Sequence, residues 1–239
     1  MSRTLVLERE ATGATAAEGL RDILPAMIAC IPIGLLFGAL SVGKGLSVLE
    51  AGLMSILVFA GGAQFAALEL WTWPVPVLAL AFSTLLINAR HVLMGASLAP
   101  KFGEFSLFQR LLGASVLTDE AWALAERCAL RRQLTPAYWF AVAATLPPLW
   151  VGCTFLGAWL GSFLGEPRAL GADFAFTALF IGLVAGLWRG RDTAITVIVS
   201  AVTSALAYVW LGPPWHVAAG AFAGIAAAWC AAPPERSSP

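Results

Sequence analysis

The sequence predicts an all-α polytopic membrane protein, a bundle of about six to eight transmembrane or re-entrant helices with broken and kinked members. Three observations carry that reading. Of 239 residues, 59% are hydrophobic and only 12% are Asp, Glu, Lys or Arg, about half the charge of a soluble globular chain. The mean hydropathy of +0.82 is too apolar for a domain whose surface must be solvated. The apolar residues also form long runs with tight connections, not the alternating ten-residue stretches of a lipid-facing β-barrel. The same composition excludes a cytosolic enzyme and a disordered chain. With 14 Lys+Arg against 14 Asp+Glu, no basic patch is available for nucleic acid.

In chain order, residues 1–22 are expected to form an amphiphilic cytoplasmic segment, since they carry charges of both signs and lack the apolar core of a cleavable signal. Residues 23–232 form the membrane domain, and 233–239 (PERSSP and the residue before it) a disordered tail. Hydropathy divides the membrane domain into segments at about 23–42, 48–70, 74–97, 108–130, 138–164, 170–188, 193–211 and 214–232. The first holds Pro25, Pro32 and Gly34 and the fifth Pro147-Pro148, which predict kinks and possible hinges. The second and fourth read poorly as simple spans. One contains Gly61-Gly62-Ala63-Gln64 with Glu69 a turn beyond, the other Thr118-Asp119-Glu120 at its centre.

Positive charge orients the chain. If all eight segments cross with the amino terminus inside, the inner face holds nine Lys/Arg and the outer face four. If the second and fourth do not cross, Lys101 and Arg110 move inside and the balance becomes eleven to two. Both arrangements obey the positive-inside rule with a cytoplasmic amino terminus, and the second obeys it better. The four cysteines (Cys30, Cys128, Cys153, Cys230) are singletons without metal-ligand spacing, so they read as small helix residues and no metal site is expected. No Walker loop, nucleophile elbow or redox motif appears, so neither an enzyme nor a cofactor is expected.

Three polar stretches carry chemistry. In Phe59-Ala-Gly-Gly-Ala-Gln64-Phe65, the paired Gly61 and Gly62 let a helix unwind, and Gln64 supplies a donor and an acceptor at membrane depth. Such a break presents half-helix ends to a solute; close helix packing with Gln64 as an interhelical hydrogen-bonding group fits equally. In Asn88-Ala89-Arg90-His91, Arg90 can hold a carboxylate in a bidentate contact and His91 can carry a proton. Alternatively, Arg90 snorkels to the cytoplasmic surface. His91 is the better proton carrier of the two histidines, because His216 follows Pro213-Pro214-Trp215 at an interface. Asp119 and Glu120 point about 100° apart on a helix, so both cannot face lipid. Either one lines a water-filled path as a cation or proton site, or the segment lies along the cytoplasmic face with both acids solvated.

These stretches, in order, resemble the AzlC family, the large subunit of bacterial branched-chain amino-acid exporters. The resemblance runs through Gly19-Leu-Arg-Asp-Ile-Leu-Pro25, Pro32-Ile-Gly34-Leu-Leu-Phe37-Gly38, Phe59 to Phe65, Leu86-Ile-Asn88-Ala-Arg90-His91 and Thr118-Asp119-Glu120, and it spans about residues 18–232. It implies an inner-membrane permease exporting leucine, isoleucine, valine and similar solutes with a small hydrophobic AzlD-type partner. Residue roles are placed on these positions by membrane chemistry. Gly61, Gly62, Gln64, Asn88 and Arg90 bind substrate, His91, Asp119 and Glu120 couple to protons or ions, and Pro25, Pro32 and Gly34 act as hinges. A channel for a small solute and a non-transporting membrane scaffold are the competing classes.

Overall fold

Polar caps divide the chain where hydropathy alone runs on. The computed structural model describes residues 13–163, 190–212 and 215–231, with 181, 184, 185 and 188. Helix α1 (Ala16–Gly43) begins at Thr15, whose hydroxyl accepts from the Glu18 amide while the Glu18 carboxylate accepts from the Thr15 amide. Ser47 with Glu50 and Ser106 with Gln109 repeat this reciprocal cap for α2 (Val48–Leu57) and α6 (Leu107–Ser115). Thr118 and Thr135 cap α7 (Asp119–Ala129) and α8 (Pro136–Ala143) by accepting from the Ala121 and Tyr138 amides. The remaining helices are α3 (Gly61–Leu70), α4 (Val77–Asn88), α5 (Arg90–Leu98), α9 (Leu146–Gly161), α10 (Arg191–Leu211) and α11 (Trp215–Ala231). A 3-10 turn, Ala99–Lys101, extends α5. The described residues contain no strand.

Four stretches among the described residues are long and apolar enough to cross a membrane: Ala16–Gly43, Val77–Lys101, Pro136–Gly161 and Arg191–Leu211. The two doubtful segments are each split in two. At about 1.5 Å per residue, α2, α3, α6 and α7 are each ~13–17 Å long, half of a ~30 Å hydrocarbon layer. The fifth segment divides at Ala144-Thr145, directly before the expected kink at Pro147-Pro148. By contrast α1 runs unbroken through Pro25 and Pro32. The expected segment at 170–188 falls almost wholly outside the described residues, as do the tail at 233–239 and residues 1–12 of the leading segment.

The chain forms two compact units, Met1–Gln64 with Asn88–Leu170 and Phe65–Ile87 with Gly171–Pro239. In the first, α1 packs along α9 through glycines. A Cβ on Gly38 would strike the Thr154 carbonyl, and one on Gly157 the Leu35 carbonyl, so these backbones touch directly. Tyr138, Trp139, Ile23, Leu98 and Val142 form the deepest part of its core. In the second unit, Gly220 and Gly224 seat α11 against Ser204 and Ser200 of α10. The Ser200 hydroxyl donates to the Gly220 carbonyl at 2.9 Å.

One end of the first unit is a layer of paired charges. Arg132 meets Glu18 at 2.8 Å, Arg127 meets Asp22 at 3.7 Å and Lys101 meets Glu126 at 2.6 Å. The Tyr138 hydroxyl donates to Asp22 at 2.9 Å. The hydrogen bond from Arg132 to the Glu18 carboxylate raises the guanidinium pKa above its ordinary value. These pairs put the starts of α1 and α8 and the ends of α5 and α7 on one face. Since α6 starts six residues after Lys101 and α7 returns to Lys101 through Glu126, α6 and α7 leave the charged layer and come back to it.

Two outcomes check this arrangement. Cysteines at Gly103 and Gln133 should be labelled from one side of the membrane and a cysteine at Lys44 from the other. Gly157→Ala should destabilise the detergent-solubilised protein by about 1–3 kcal/mol in thermal unfolding. Gly152→Ala, whose Cβ would meet nothing within 4 Å, should change stability by less than about 0.5 kcal/mol.

Candidate functional site

Helices α5 and α7 run side by side toward the charged layer, and both begin inside the protein. Arg90 lies eleven residues before Lys101 and Asp119 seven before Glu126, so their backbones sit ~16 and ~10 Å in from that layer. There Arg90 Nη1 and Asp119 Oδ2 form an ion pair at 3.0 Å. The two half-helices are thus tied at both ends, each time with the cation on the α5 side and the acid on α7. The outer tie is reinforced. Ser97 donates to Glu126 at 2.9 Å and receives the Trp122 indole N–H at 2.8 Å.

The inner tie is less complete. Arg90 Nε and Asn88 Oδ1 are buried atoms without a partner, and His91 Nδ1 lies 3.1 Å from the Asn88 carbonyl oxygen. Asp119 and Glu120 occupy the first turn of α7, where the helix dipole favours negative charge. Arg90 follows Ala89, which is itself helical in φ and ψ, and its charge is offset by the Asp119 carboxylate. The two side chains are 37% and 49% exposed. Half-exposed charges at this depth need water or a polar surface beside them, since hydrocarbon solvates neither. Glu120 lies within electrostatic reach of Cys30 on α1.

A second polar cluster surrounds the break between α2 and α3. The helix stops at Val58, and the chain turns with the Ala60 amide donating to the Val58 carbonyl at 2.8 Å. The break therefore precedes the glycine pair, and Gly61 and Gly62 open the next helix. A Cβ on Gly61 would lie 3.2 Å from the Trp150 ring, a tight fit that glycine avoids. Gln64 is fully buried and used at both ends. Its carbonyl accepts from the Trp150 indole at 2.9 Å, and its amide donates to Ser55 at 2.9 Å. The Ser55 and Thr154 hydroxyls pair at 2.9 Å. This chain stitches the interrupted helix to α9.

Of the residues expected to act together, Arg90 meets Asp119, with Asn88 and His91 on the turn that carries Arg90 and Glu120 next to Asp119 in the chain, whereas Gly61, Gly62 and Gln64 form the separate cluster against α9. Gly34 packs on α9, its notional Cβ 2.8 Å from Cys153 Cβ. His216 stacks edge-on against Tyr208, ring centres 5.2 Å apart. Sequence reasoning missed Ser55, Thr154 and Trp150. Hydroxyls and tryptophans are common in membrane helices, and no local pattern distinguished these. Replacing Gln64 with Leu strands the Trp150 indole and should cost about 1–3 kcal/mol in thermal unfolding. Adding Trp150→Phe to Gln64→Leu should cost less than the sum of the two single changes, because they share one hydrogen bond.

The AzlC protein family model matches residues 25–164. Inner membrane protein YgaZ of Escherichia coli is 32% identical over 93% of this chain and 95% of its own length. A membrane protein of Archaeoglobus fulgidus is 29% identical over 89% of this chain and 94% of its own. The branched-chain amino acid transport protein AzlC of Bacillus subtilis is 25% identical over 69% of this chain and 65% of its own. No solved structure matches. The matched region contains the broken helices, both polar clusters and the charged layer except Glu18 and Asp22, and the chain belongs to the AzlC family, with a role in membrane transport.

Proposed function

We propose that the chain is the large, solute-carrying subunit of a branched-chain amino-acid exporter, a secondary transporter driven by a proton or ion gradient and not an enzyme. The observation that carries this reading is the Arg90–Asp119 pair, half-exposed, which ties α5 to the start of α7. A guanidinium there suits a carboxylate, and an acid beside it suits a coupling cation. The Bacillus subtilis relative, a branched-chain amino acid transport protein, suggests the substrate class. An apolar pocket separates side chains differing by one methylene by only ~10–200-fold, so leucine, isoleucine, valine and methionine should overlap as substrates.

In this reading Arg90 and Asn88 bind the solute, and Gly61, Gly62 and Gln64 hold the adjoining half-helix and its backbone groups in place. His91, Asp119 and Glu120 carry the coupling charge, and α1 bends at Pro25, Pro32 and Gly34 as the site changes access. A small AzlD-type subunit completes the system in the bacterial inner membrane. The charged layer, holding Lys101, Arg127 and Arg132, faces the cytoplasm with the amino terminus.

Labelled-leucine efflux from proteoliposomes holding this chain and the small subunit tests the reading. Efflux above empty liposomes that builds an uphill gradient under an imposed proton or sodium gradient is expected. Equal rates with and without protein, across all four amino acids, would end it.

A further inference from the structure

The inner ion pair is both closed and incompletely satisfied. Arg90 and Asp119 touch at 3.0 Å, yet the buried Arg90 Nε retains a free donor and the buried Asn88 Oδ1 a free acceptor on the same turn. Those two spare atoms match the two ends of an α-amino acid, one for an oxygen of the carboxylate and one for a hydrogen of the ammonium. Resting on the amino-acid reading of this site, we infer that the Arg90–Asp119 pair opens to admit a zwitterion end-on between its members. Arg90 takes the carboxylate, and Asp119 with Asn88 Oδ1 takes the ammonium. Asp119 is then a substrate-binding residue and not solely a coupling one.

Charge balance supports this assignment. A charge at membrane depth that loses its counter-ion is left unfavourably placed. The pair compensates itself when empty, and a zwitterion compensates both members when bound, so neither state leaves a bare charge at depth. A plain carboxylate would leave Asp119 unpaired, and a plain amine would leave Arg90 unpaired. The outer tie explains how the inner one can part. Lys101, Glu126, Ser97 and Trp122 keep α5 and α7 fastened at the charged layer while their inner ends separate.

The test uses the full chain in nanodiscs and measures binding of four probes by calorimetry: L-leucine, L-alanine, 4-methylpentanoate and 3-methylbutylamine. The last two keep leucine's apolar body and lack its ammonium or its carboxylate. Leucine should bind at least a hundredfold more tightly than either one-ended probe. Asp119→Asn should weaken leucine at least tenfold and tighten 4-methylpentanoate, because that probe has no ammonium to lose and no longer has to displace a carboxylate from Arg90. Leucine binding matched by 4-methylpentanoate, or unaltered in Asp119→Asn, would overturn the inference while leaving the branched-chain reading standing. Alanine binding without leucine, sensitive to Asp119→Asn, would uphold the clamp and remove the branched-chain reading. Binding by neither amino acid overturns both, and since the probes act on the unaltered protein, a variant that fails to fold does not rescue the idea.

Discussion

Hydrocarbon offers no hydrogen bonds, so a helix interrupted inside a membrane must find its partners in the protein itself. Gln64 meets that requirement for the first unit. Buried completely, it links the indole of Trp150 to Ser55, and Ser55 to Thr154, across the gap left at Val58–Ala60. The same atoms that let α2 and α3 exist as half-helices thereby fasten them to α9. Function and stability are coupled at this point, because any solute path along the break must leave the stitch intact.

Helix α1 is the spine against which the rest is placed. Its first turns belong to the charged layer through Glu18 and Asp22. Further along, Gly34 meets Cys153 and Trp150. Gly38 then lies backbone to backbone with α9. One unbroken helix therefore takes part in the polar layer and then packs on α9 beside the Gln64 cluster. The two polar clusters differ in kind. The Gln64 network is neutral, fully buried and closed on itself, as a structural joint should be. The Arg90–Asp119 pair is charged, half-exposed and leaves polar atoms over, which is how a group that must change partners is expected to look.

Much of this was legible from the residues. The pairing of Gly61 with Gly62 and the acids at Asp119-Glu120 marked the two segments that fail to behave as simple spans, and both prove to be split. Pro147-Pro148 marked the division between α8 and α9, since proline can open a helix but not continue one. Pro25 and Pro32 mark no break, since α1 is helical through both. Hydropathy also missed the joint between α4 and α5 at Ala89, where no proline or glycine interrupts the run.

Composition and periodicity were sufficient for the membrane environment, the helical class and the places where polar groups enter it, because transfer free energies and backbone preferences are local properties. Which polar groups meet was not available locally. Arg90 and Asp119 are separated by α5 and α6, and Gln64 and Trp150 by several helices, so their pairing depends on how whole elements pack. The sequence grouped Gln64 with Arg90 as one site; the fold placed Gln64 against α9 and Arg90 against α7, because a buried amide is satisfied by neighbouring hydroxyls and an indole, whereas a guanidinium requires an acid.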